Sequence, residues 1–205
     1  MRMITISREF GSGGRELGKR LADLLGCAYF DKEIIAAIAK EERLDEEYVE
    51  KMMEKPLFMM YPITIGCTLS YPNYTQQSAI NLLISQQRVM KKLAAQGDCV
   101  IMGQGADGIL NEYHPMKLFV YADMESKIKR CQERRPEGEH LTDREMQWEI
   151  MRVDSGRARR YELITSSEWG NRENYHLCVN TTGIPIKALA AQMAEYARFW
   201  FELEK

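Results

Sequence analysis

The chain has 205 residues, of which 45% are hydrophobic and 28% are charged, and its formal net charge is −2. This length and composition are typical of one globular domain and exclude a disordered, collagen-like or fibrous chain. The slightly acidic balance also argues against a protein-wide basic surface for nucleic acid.

Cysteine usage and the N-terminal residues predict the cellular compartment. The five cysteines are widely spaced and form no Cys-x-x-Cys or Cys/His zinc pattern, so we expect free thiols in a reducing environment. The apolar run near Met3 is too short for a signal peptide, and no apolar stretch reaches the ~18 residues of a membrane span. The chain is therefore expected to be cytoplasmic and to have no membrane partner.

The N-terminal part of the chain predicts two strand–helix units. Residues 3–7 are predicted to form a strand, and the helix that follows carries leucines at helical spacing and ends at Gly26. Residues 28–30 are predicted to form a second strand. Asp31 is expected to cap a second helix that reaches about residue 43.

The middle of the chain predicts helices on both sides of an irregular segment. Residues 45–55 are charged and predicted to be helical, and residues 76–96 are predicted to form a long helix. Between them, residues 56–75 hold several prolines and aromatic residues, which indicates an ordered but irregular connector or lid.

The C-terminal half continues the alternation of strands and helices. We predict strands at 99–102, 117–122 and 175–180, and helices at 124–135, 142–163 and from Pro185 to about residue 203. This alternation is typical of an α/β fold in which a parallel five-stranded sheet forms the middle of a three-layer sandwich. Ligands of such sheets bind beyond the carboxyl ends of the strands.

The segment between the first strand and the first helix is rich in glycine. A loop of this kind directs backbone N–H groups towards phosphate oxygens, and the helix N-terminus adds a partial positive charge. A glycine-rich turn without a ligand is the alternative. We place a tight turn before the helix start and predict that both bind nucleotide phosphate, through Gly11, Ser12, Gly13, Gly14, Arg15 and Glu16.

The strict phosphate-loop motif requires a lysine that this loop lacks. In our register Gly14 occupies the lysine position, and Arg15 is the candidate for supplying the missing cation. A partial match to the motif ends at Lys19, but the leucine spacing puts Lys19 one turn inside the helix and off its apolar face. We therefore expect Lys19 to be solvated.

Two basic clusters in the C-terminal half are further candidates. Arg130 and Arg134 lie four residues apart and share a helix face, so with Arg135 they are expected to close over a nucleotide or to form a solvated basic surface. Asp154 and Arg157 lie three residues apart and belong either to a functional site or to a plain surface salt bridge.

Carboxylates close to the predicted strand ends are the third group of candidates. Asp31 is expected to orient an acceptor, to cap its helix, or to do both. Glu9 and Glu16 flank the loop, and either could organise Mg²⁺ through water, although Glu16 also fits a first-turn acid that complements the helix dipole. No residue is assigned as a direct metal ligand.

Taken together, these segments resemble the cytidylate kinase-like family. The segment from Ile4 to Glu16 resembles the opening of that family, which itself tends to carry Gly-Gly-Arg-Glu where true cytidylate kinases carry Gly-Lys-Gly-Thr. Later segments resemble the strand-end Asp, the strand followed by Gly-Arg, the lid helix, the Asp-x-x-Arg segment and the last strand, at 29–35, 99–106, 119–135, 154–161 and 169–182.

The resemblance implies one domain with an adenylate-kinase-like fold of the P-loop NTPases. Its core would comprise residues 1–30, 97–130 and 164–205. A helical acceptor-binding insert would take up about residues 31–96, and a lid would take up about residues 131–163.

The resemblance also implies phosphoryl transfer from ATP, with Mg²⁺, to a nucleoside monophosphate such as CMP or dCMP. Catalytic roles would fall to Arg15, Arg130, Arg134 and Arg157, and acceptor-binding roles to Asp31, Gln104, Asp154 and Arg157. The partners would be a nucleotide and a small-molecule acceptor, without nucleic acid, and the protein would be a monomer or a homodimer.

Two departures from true cytidylate kinases keep other functions open. The loop has no lysine, and Gln104 and Gly105 stand where those enzymes carry Arg and Asp. The alternatives are a phosphotransferase that acts on another small metabolite and a nucleotide-binding module without turnover.

Overall fold

The computed structural model describes residues 1–54, 74–103, 105–135 and 141–203 of the chain. Apart from its last two residues, the predicted irregular segment 56–75 lies outside this part of the chain, and so does Gln104. The predicted roles of that segment and of Gln104 stay predictions.

A five-stranded parallel sheet forms the centre of the fold. Its strands lie in the order β2-β3-β1-β4-β5, so β1 is central and is flanked by β3 and β4. This sheet confirms the predicted α/β class. The strands are β1 (Met3–Arg8), β2 (Ala28–Phe30), β3 (Cys99–Met102), β4 (Met116–Tyr121) and β5 (Leu177–Asn180).

Helices follow the strands and cover both faces of the sheet. Within the described residues they are α1 (Gly14–Leu25), α2 (Lys32–Glu42), α3 (Glu46–Glu54), α4 (Tyr74–Ala94), α5 (Ala106–Ile109), α6 (Met124–Glu133), α7 (Asp143–Thr165) and α8 (Ile186–Leu203). None of them is long and apolar enough to cross a membrane.

The predicted elements are present with bounds that differ by at most two residues, and the structure adds short elements that were not predicted. The short helix α5 was not predicted, and neither were the 3₁₀ turns at Asn111–Tyr113 and Arg172–Asn174. Helix α6 ends at Glu133 rather than at residue 135, because Arg134 leaves helical geometry at its C-cap. Helix α5 and the two 3₁₀ turns each have three or four residues, too few to produce a periodic hydrophobic pattern.

The sheet has a separate apolar core on each face. Alternate side chains of a strand point to opposite faces, and accordingly Met3 packs in one core while Ile4 packs in the other. The first core contains residues of α2 and α4, and the second contains residues of α1 and α8. The three-layer sandwich is thereby confirmed. Since all strands are parallel, their carboxyl ends meet at one edge, where the segments after β1, β3 and β4 come together.

The leucines of α1 allow a matched test of this packing. Leu21 is 0% exposed in the core shared with α8, whereas Leu24, on the same helix, is 46% exposed. We expect Leu21→Ala to lower the free energy of unfolding by about 2–5 kcal/mol, because it removes buried methyl groups and leaves a cavity. Leu24→Ala is expected to change it by less than about 0.5 kcal/mol. Urea denaturation measures both changes, and equal losses for the two variants would contradict this packing.

Candidate active site

The glycine-rich loop between β1 and α1 has a backbone that only glycine accommodates at two positions. Gly11 has φ 75° and Gly13 has φ 82°, both in the left-handed region. A Cβ on Gly13 would lie 2.6 Å from Cδ1 of Ile186, and a Cβ on Gly11 would lie 2.9 Å from the carbonyl oxygen of Lys127. The loop therefore packs against α6 and α8 at distances that leave no room for a side chain.

Hydrogen bonds from a distant segment hold the loop in this shape. The Ser12 hydroxyl donates to the carbonyl of Glu9 at 2.7 Å, and the Thr181 hydroxyl donates to the carbonyl of Ser12 at 2.6 Å. The guanidinium of Arg130 donates to the Thr181 hydroxyl at 3.1 Å and to its carbonyl. The Ser12 side chain is fully buried and stabilises the loop from within. Its predicted contact with phosphate stays a prediction.

A cavity of about 420 Å³ opens in front of the loop. Gly11, Gly13 and Gly14 form part of its wall, at the N-terminus of α1. Charged side chains form much of the rest: six arginines and three carboxylates, namely Arg8, Arg15, Arg130, Arg134, Arg135, Arg157, Glu9, Glu50 and Glu149. The excess of arginine gives the cavity a positive potential that favours anions.

A smaller cavity of about 80 Å³ adjoins the first. The two share Arg8, Arg15, Glu50 and Arg157, which therefore lie at the junction between them. The remaining walls of the smaller cavity come from α2, α4, the end of β3 and the residue before α2: Asp31, Ile34, Ile35, Gln86, Met90, Met102 and Gly103. Two compartments thus meet at a junction lined by three arginines.

Asp31 lies at this junction through its ion pairs. Its carboxylate is 2.6 Å from Nε of Arg15 and 3.6 Å from Nη2 of Arg8. Asp31 occupies the predicted N-cap position of α2, but its side chain makes no capping hydrogen bond, so only the position of the predicted cap is confirmed. The carboxylate forms ion pairs with the two arginines instead. Burial lowers the pKa of Arg8, and the neighbouring Asp31 opposes that effect.

Asp154 lies beneath the loop and lines neither cavity. Its Oδ1 accepts the backbone N–H of Phe10 at 2.7 Å and is 3.9 Å from Nη1 of Arg157, so the predicted pairing of Asp154 with Arg157 is confirmed. Arg157 also donates to the carbonyl of Arg8 at 2.8 Å. Burial raises the pKa of Asp154, while the Phe10 N–H favours its charged form. The expected contact of Asp154 with an acceptor stays a prediction.

Arg130 and Arg134 of the predicted lid helix both line the larger cavity, together with Arg135. Arg130 belongs to α6, and Arg134 follows its last residue. The guanidinium of Arg134 forms an ion pair with the carboxylate of Glu16, which also pairs with Arg20 at 2.9 Å. Arg134 therefore connects the end of α6 to the first turn of α1, and Glu16 faces arginines rather than the cavity.

The fold brings to this site several residues for which the sequence predicts no role of their own. Lys127 of α6 is buried beneath the loop, and Glu50 and Glu149 line the larger cavity. Helical spacing and the resemblance to the lid helix place Lys127 with Arg130 and apart from the exposed Lys129, but neither predicts that its side chain is buried. Glu50 and Glu149 belong to two charged helices, α3 and α7, whose sequences resemble ordinary solvated surface helices.

The fold and this site define a class of protein. A parallel sheet in the order β2-β3-β1-β4-β5, with a glycine-rich loop between the central strand and its helix, is the fold of the P-loop kinases. The model of the cytidylate kinase-like family matches residues 3–183, and the chain belongs to that family. It is accordingly a kinase, a phosphotransferase of the P-loop fold.

Solved structures of low sequence identity share this fold. An uncharacterized protein from Eubacterium ventriosum superposes with a TM-score of 0.69 and 21% identity, over 97% of this chain and 99% of that chain. Shikimate kinase from Acinetobacter baumannii, in complex with shikimate, gives a TM-score of 0.54 and 14% identity, over 96% of this chain and 92% of that chain. TT1252 from Thermus thermophilus gives a TM-score of 0.56 and 17% identity, over 96% of this chain and 97% of that chain. No curated protein matches the sequence.

The two ends of α1 allow a test of the loop geometry. Gly13 and Gly26 both have positive φ, but a Cβ on Gly26 would meet nothing within 4 Å. Gly26→Ala therefore suffers backbone strain alone, whereas Gly13→Ala, in the wall of the cavity, adds a collision with Ile186 of α8. We expect Gly13→Ala to weaken ATP binding at least about tenfold, since the collision moves the loop out of the shape that would bind the phosphates. Gly26→Ala is expected to leave ATP binding within about twofold of the unsubstituted chain, with at most about 1–3 kcal/mol of stability lost.

Isothermal titration with ATP, together with urea denaturation, measures these effects. Equal ATP affinities for Gly13→Ala and Gly26→Ala would show that the loop does not contact the nucleotide.

Proposed function

We propose that this protein transfers the γ-phosphoryl group of ATP to a nucleoside monophosphate, with CMP or dCMP as the preferred acceptor. The observation that supports this most directly is the pair of adjoining cavities, which share Arg8, Arg15, Glu50 and Arg157. A kinase for two phosphorylated substrates needs two compartments that meet at the transferred group, with positive charge at the meeting point.

The larger cavity fits a nucleoside triphosphate. Gly11 and Gly13, both at positive φ, form the turn in the cavity wall, and the backbone N–H groups of a loop of this kind bind phosphate closely. Carboxylates suit Mg²⁺, and Glu9 and Glu50 of the cavity wall are the residues that would hold it, directly or through water. Bound Mg²⁺·ATP supplies the phosphoryl group together with a metal ion that neutralises part of its charge.

The arginines at the junction provide the positive charge that phosphoryl transfer requires. Negative charge spreads over the transferred group in the transition state, and preorganised cations stabilise it there. Arg15 is held by Asp31 at 2.6 Å, and Arg157 is held by the carbonyl of Arg8 at 2.8 Å, so both side chains are oriented before the substrates bind. In this proposal Arg130 and Arg134 contact the donor, and residues 131–163 act as the lid.

The smaller cavity supports a planar, partly apolar acceptor. Ile34, Ile35 and Met90 provide apolar walls, and the buried Gln86 offers an amide with both hydrogen-bond donors and an acceptor. A pyrimidine such as cytosine presents acceptors and an exocyclic amino donor along one edge, which matches an amide side chain. The acceptor phosphate would then lie towards Arg15 and Arg157.

The size of the smaller cavity keeps a second candidate open. At about 80 Å³ it is smaller than a complete nucleoside monophosphate, which favours either an opening of the cavity on binding or a smaller acceptor metabolite.

The same proposal includes a cytoplasmic location and a protein that is a monomer or a homodimer. Its partners would be a nucleotide and a small molecule.

Arg15 allows a matched test, because α1 carries a second cation one turn further on. Arg15 lines both cavities, whereas Lys19 is exposed and lines neither. We expect Arg15→Ala to lower kcat/KM by about 10²–10³-fold, since it removes a cation from the transferred group. Lys19→Ala is expected to stay within about twofold of the unsubstituted enzyme, as surface substitutions usually do. A coupled assay of ADP formation measures both, and equal losses would contradict the assignment of Arg15.

The acceptor is tested with a panel of nucleoside monophosphates and, separately, small hydroxylated metabolites, each mixed with ATP and Mg²⁺. We expect ADP to form fastest with CMP or dCMP. Turnover with a small metabolite alone would replace the acceptor assignment and retain the kinase class. ATP binding without turnover on any acceptor would contradict the proposed reaction and favour a nucleotide-binding module.

A further inference from the structure

Helix α6 carries a lysine in an unusual place, beneath the glycine-rich loop. Lys127 is only 6% exposed, although lysine is almost never buried unless its charge is paired. Its backbone also contacts the loop closely, because a Cβ on Gly11 would lie 2.9 Å from the Lys127 carbonyl oxygen. The exposed Lys129, two residues further along, shows that α6 has solvent-facing positions for such a side chain.

The ammonium group of Lys127 lies between two carboxylates. Its Nζ is 3.1 Å from Oε2 of Glu9 and 3.5 Å from Oδ2 of Asp154. Both carboxylates are attached to the loop region: Glu9 belongs to the loop, and Asp154 accepts the backbone N–H of Phe10 at 2.7 Å. Oε2 of Glu9 also accepts the N–H of Ala122, the residue after β4, at 3.3 Å. Lys127 therefore links α6, α7 and the loop at one point.

Lys127, Glu9, Asp154 and Arg157 form a cluster of charged side chains. The charges of these four residues balance only because Lys127 is present. Glu9 and Asp154 contribute two negative charges, and Lys127 and Arg157 contribute two positive charges. Glu9 lines the larger cavity, and Asp154 is one hydrogen bond from Phe10, which also lines it. Without Lys127, the cluster would have a net negative charge next to a cavity that is otherwise rich in arginine, and that charge would repel an anion.

The phosphate loop itself cannot correct such an imbalance, because Gly14 stands at the position of its usual lysine. Arg15 follows, but its carboxylate partner Asp31 already lies 2.6 Å from its Nε. A cation that acts on the loop from beneath is therefore more important here than in a loop with its own lysine.

We propose that Lys127 is a positioning residue of the phosphate-binding loop, which neutralises Glu9 and Asp154 and so allows the loop to accept a polyphosphate. This inference rests on the proposed function, in which the protein binds a nucleoside triphosphate. Lys127 does not line the cavity, so it acts through the loop and through the electrostatic potential rather than by touching the ligand.

A charge series separates this role from a purely structural one. Lys127→Met leaves the cluster with one net negative charge, Glu9→Gln leaves it with one net positive charge, and the double variant is neutral again. We expect Lys127→Met to weaken polyphosphate binding about tenfold, and Glu9→Gln to tighten it about threefold, since the charges lie close to the ligand in a partly buried site. The double variant is expected to return to within about threefold of the unsubstituted chain.

The probes are ATP and inorganic tripolyphosphate, titrated calorimetrically in the presence of EDTA so that any contact of Glu9 with Mg²⁺ does not contribute. Lys129→Met, which removes an exposed lysine of the same helix, is the matched control and is expected to bind both probes like the unsubstituted chain. Thermal melting of each variant reports stability separately. If Lys127→Met does not fold, the opposite charge change in Glu9→Gln and the neutral double variant decide the question.

The outcomes distinguish this inference from the proposed function. Binding that follows the charge series, with no turnover on any acceptor, would support Lys127 and overturn the reaction. Turnover with affinities that ignore the series, or that follow melting temperature instead, would overturn the role of Lys127 and retain the reaction. An unsubstituted chain that binds neither probe would overturn both.

Discussion

The arrangement of the active-site region depends on how the loop between β1 and α1 is held. Its left-handed glycines give it a shape that local sequence alone would not maintain, and groups from distant segments keep that shape: Thr181 after β5, Arg130 of α6 and Asp154 of α7. Each of these bonds joins residues more than a hundred positions apart except that between Arg130 and Thr181, so the loop acquires its geometry only when the sheet has assembled. The cavity in front of it exists for the same reason.

Electrostatics provide the second constraint on the site. Arginines predominate on the cavity walls, yet several of them are held by carboxylates or carbonyls before any ligand arrives, as Arg15 is by Asp31 and Arg157 is by the carbonyl of Arg8. Such partners reduce the freedom of long side chains and so lower the entropic cost of binding an anion. They also explain why buried acids occur in a site for negatively charged ligands: the acids orient the cations.

The family and the fold connect these features to function. A kinase of the cytidylate kinase-like family with two adjoining cavities has the architecture expected for transfer between two small substrates. Its loop departs from the strict phosphate-binding motif, and the arrangement of cations around it departs correspondingly. Positive charge comes from Arg15 at the start of α1, from arginines on α6 and α7, and from Lys127 beneath the loop.

The sequence by itself determined the alternation of strands and helices, the parallel sheet and the place of the glycine-rich loop, because hydrophobic spacing and glycine positions act over a few neighbouring residues. It also indicated Arg15, Arg130, Arg134 and Arg157 as catalytic candidates, and all four line the larger cavity, although their catalytic role stays a prediction. Only the tertiary structure decided the partners of these groups. It gave the carboxylate of Asp31 to two arginines rather than to a helix cap, and it buried Lys127 between Glu9 and Asp154, which are 118 and 27 residues away along the chain. Contacts over such separations leave no local periodic pattern, so the sequence contains no short-range signal from which they could be predicted.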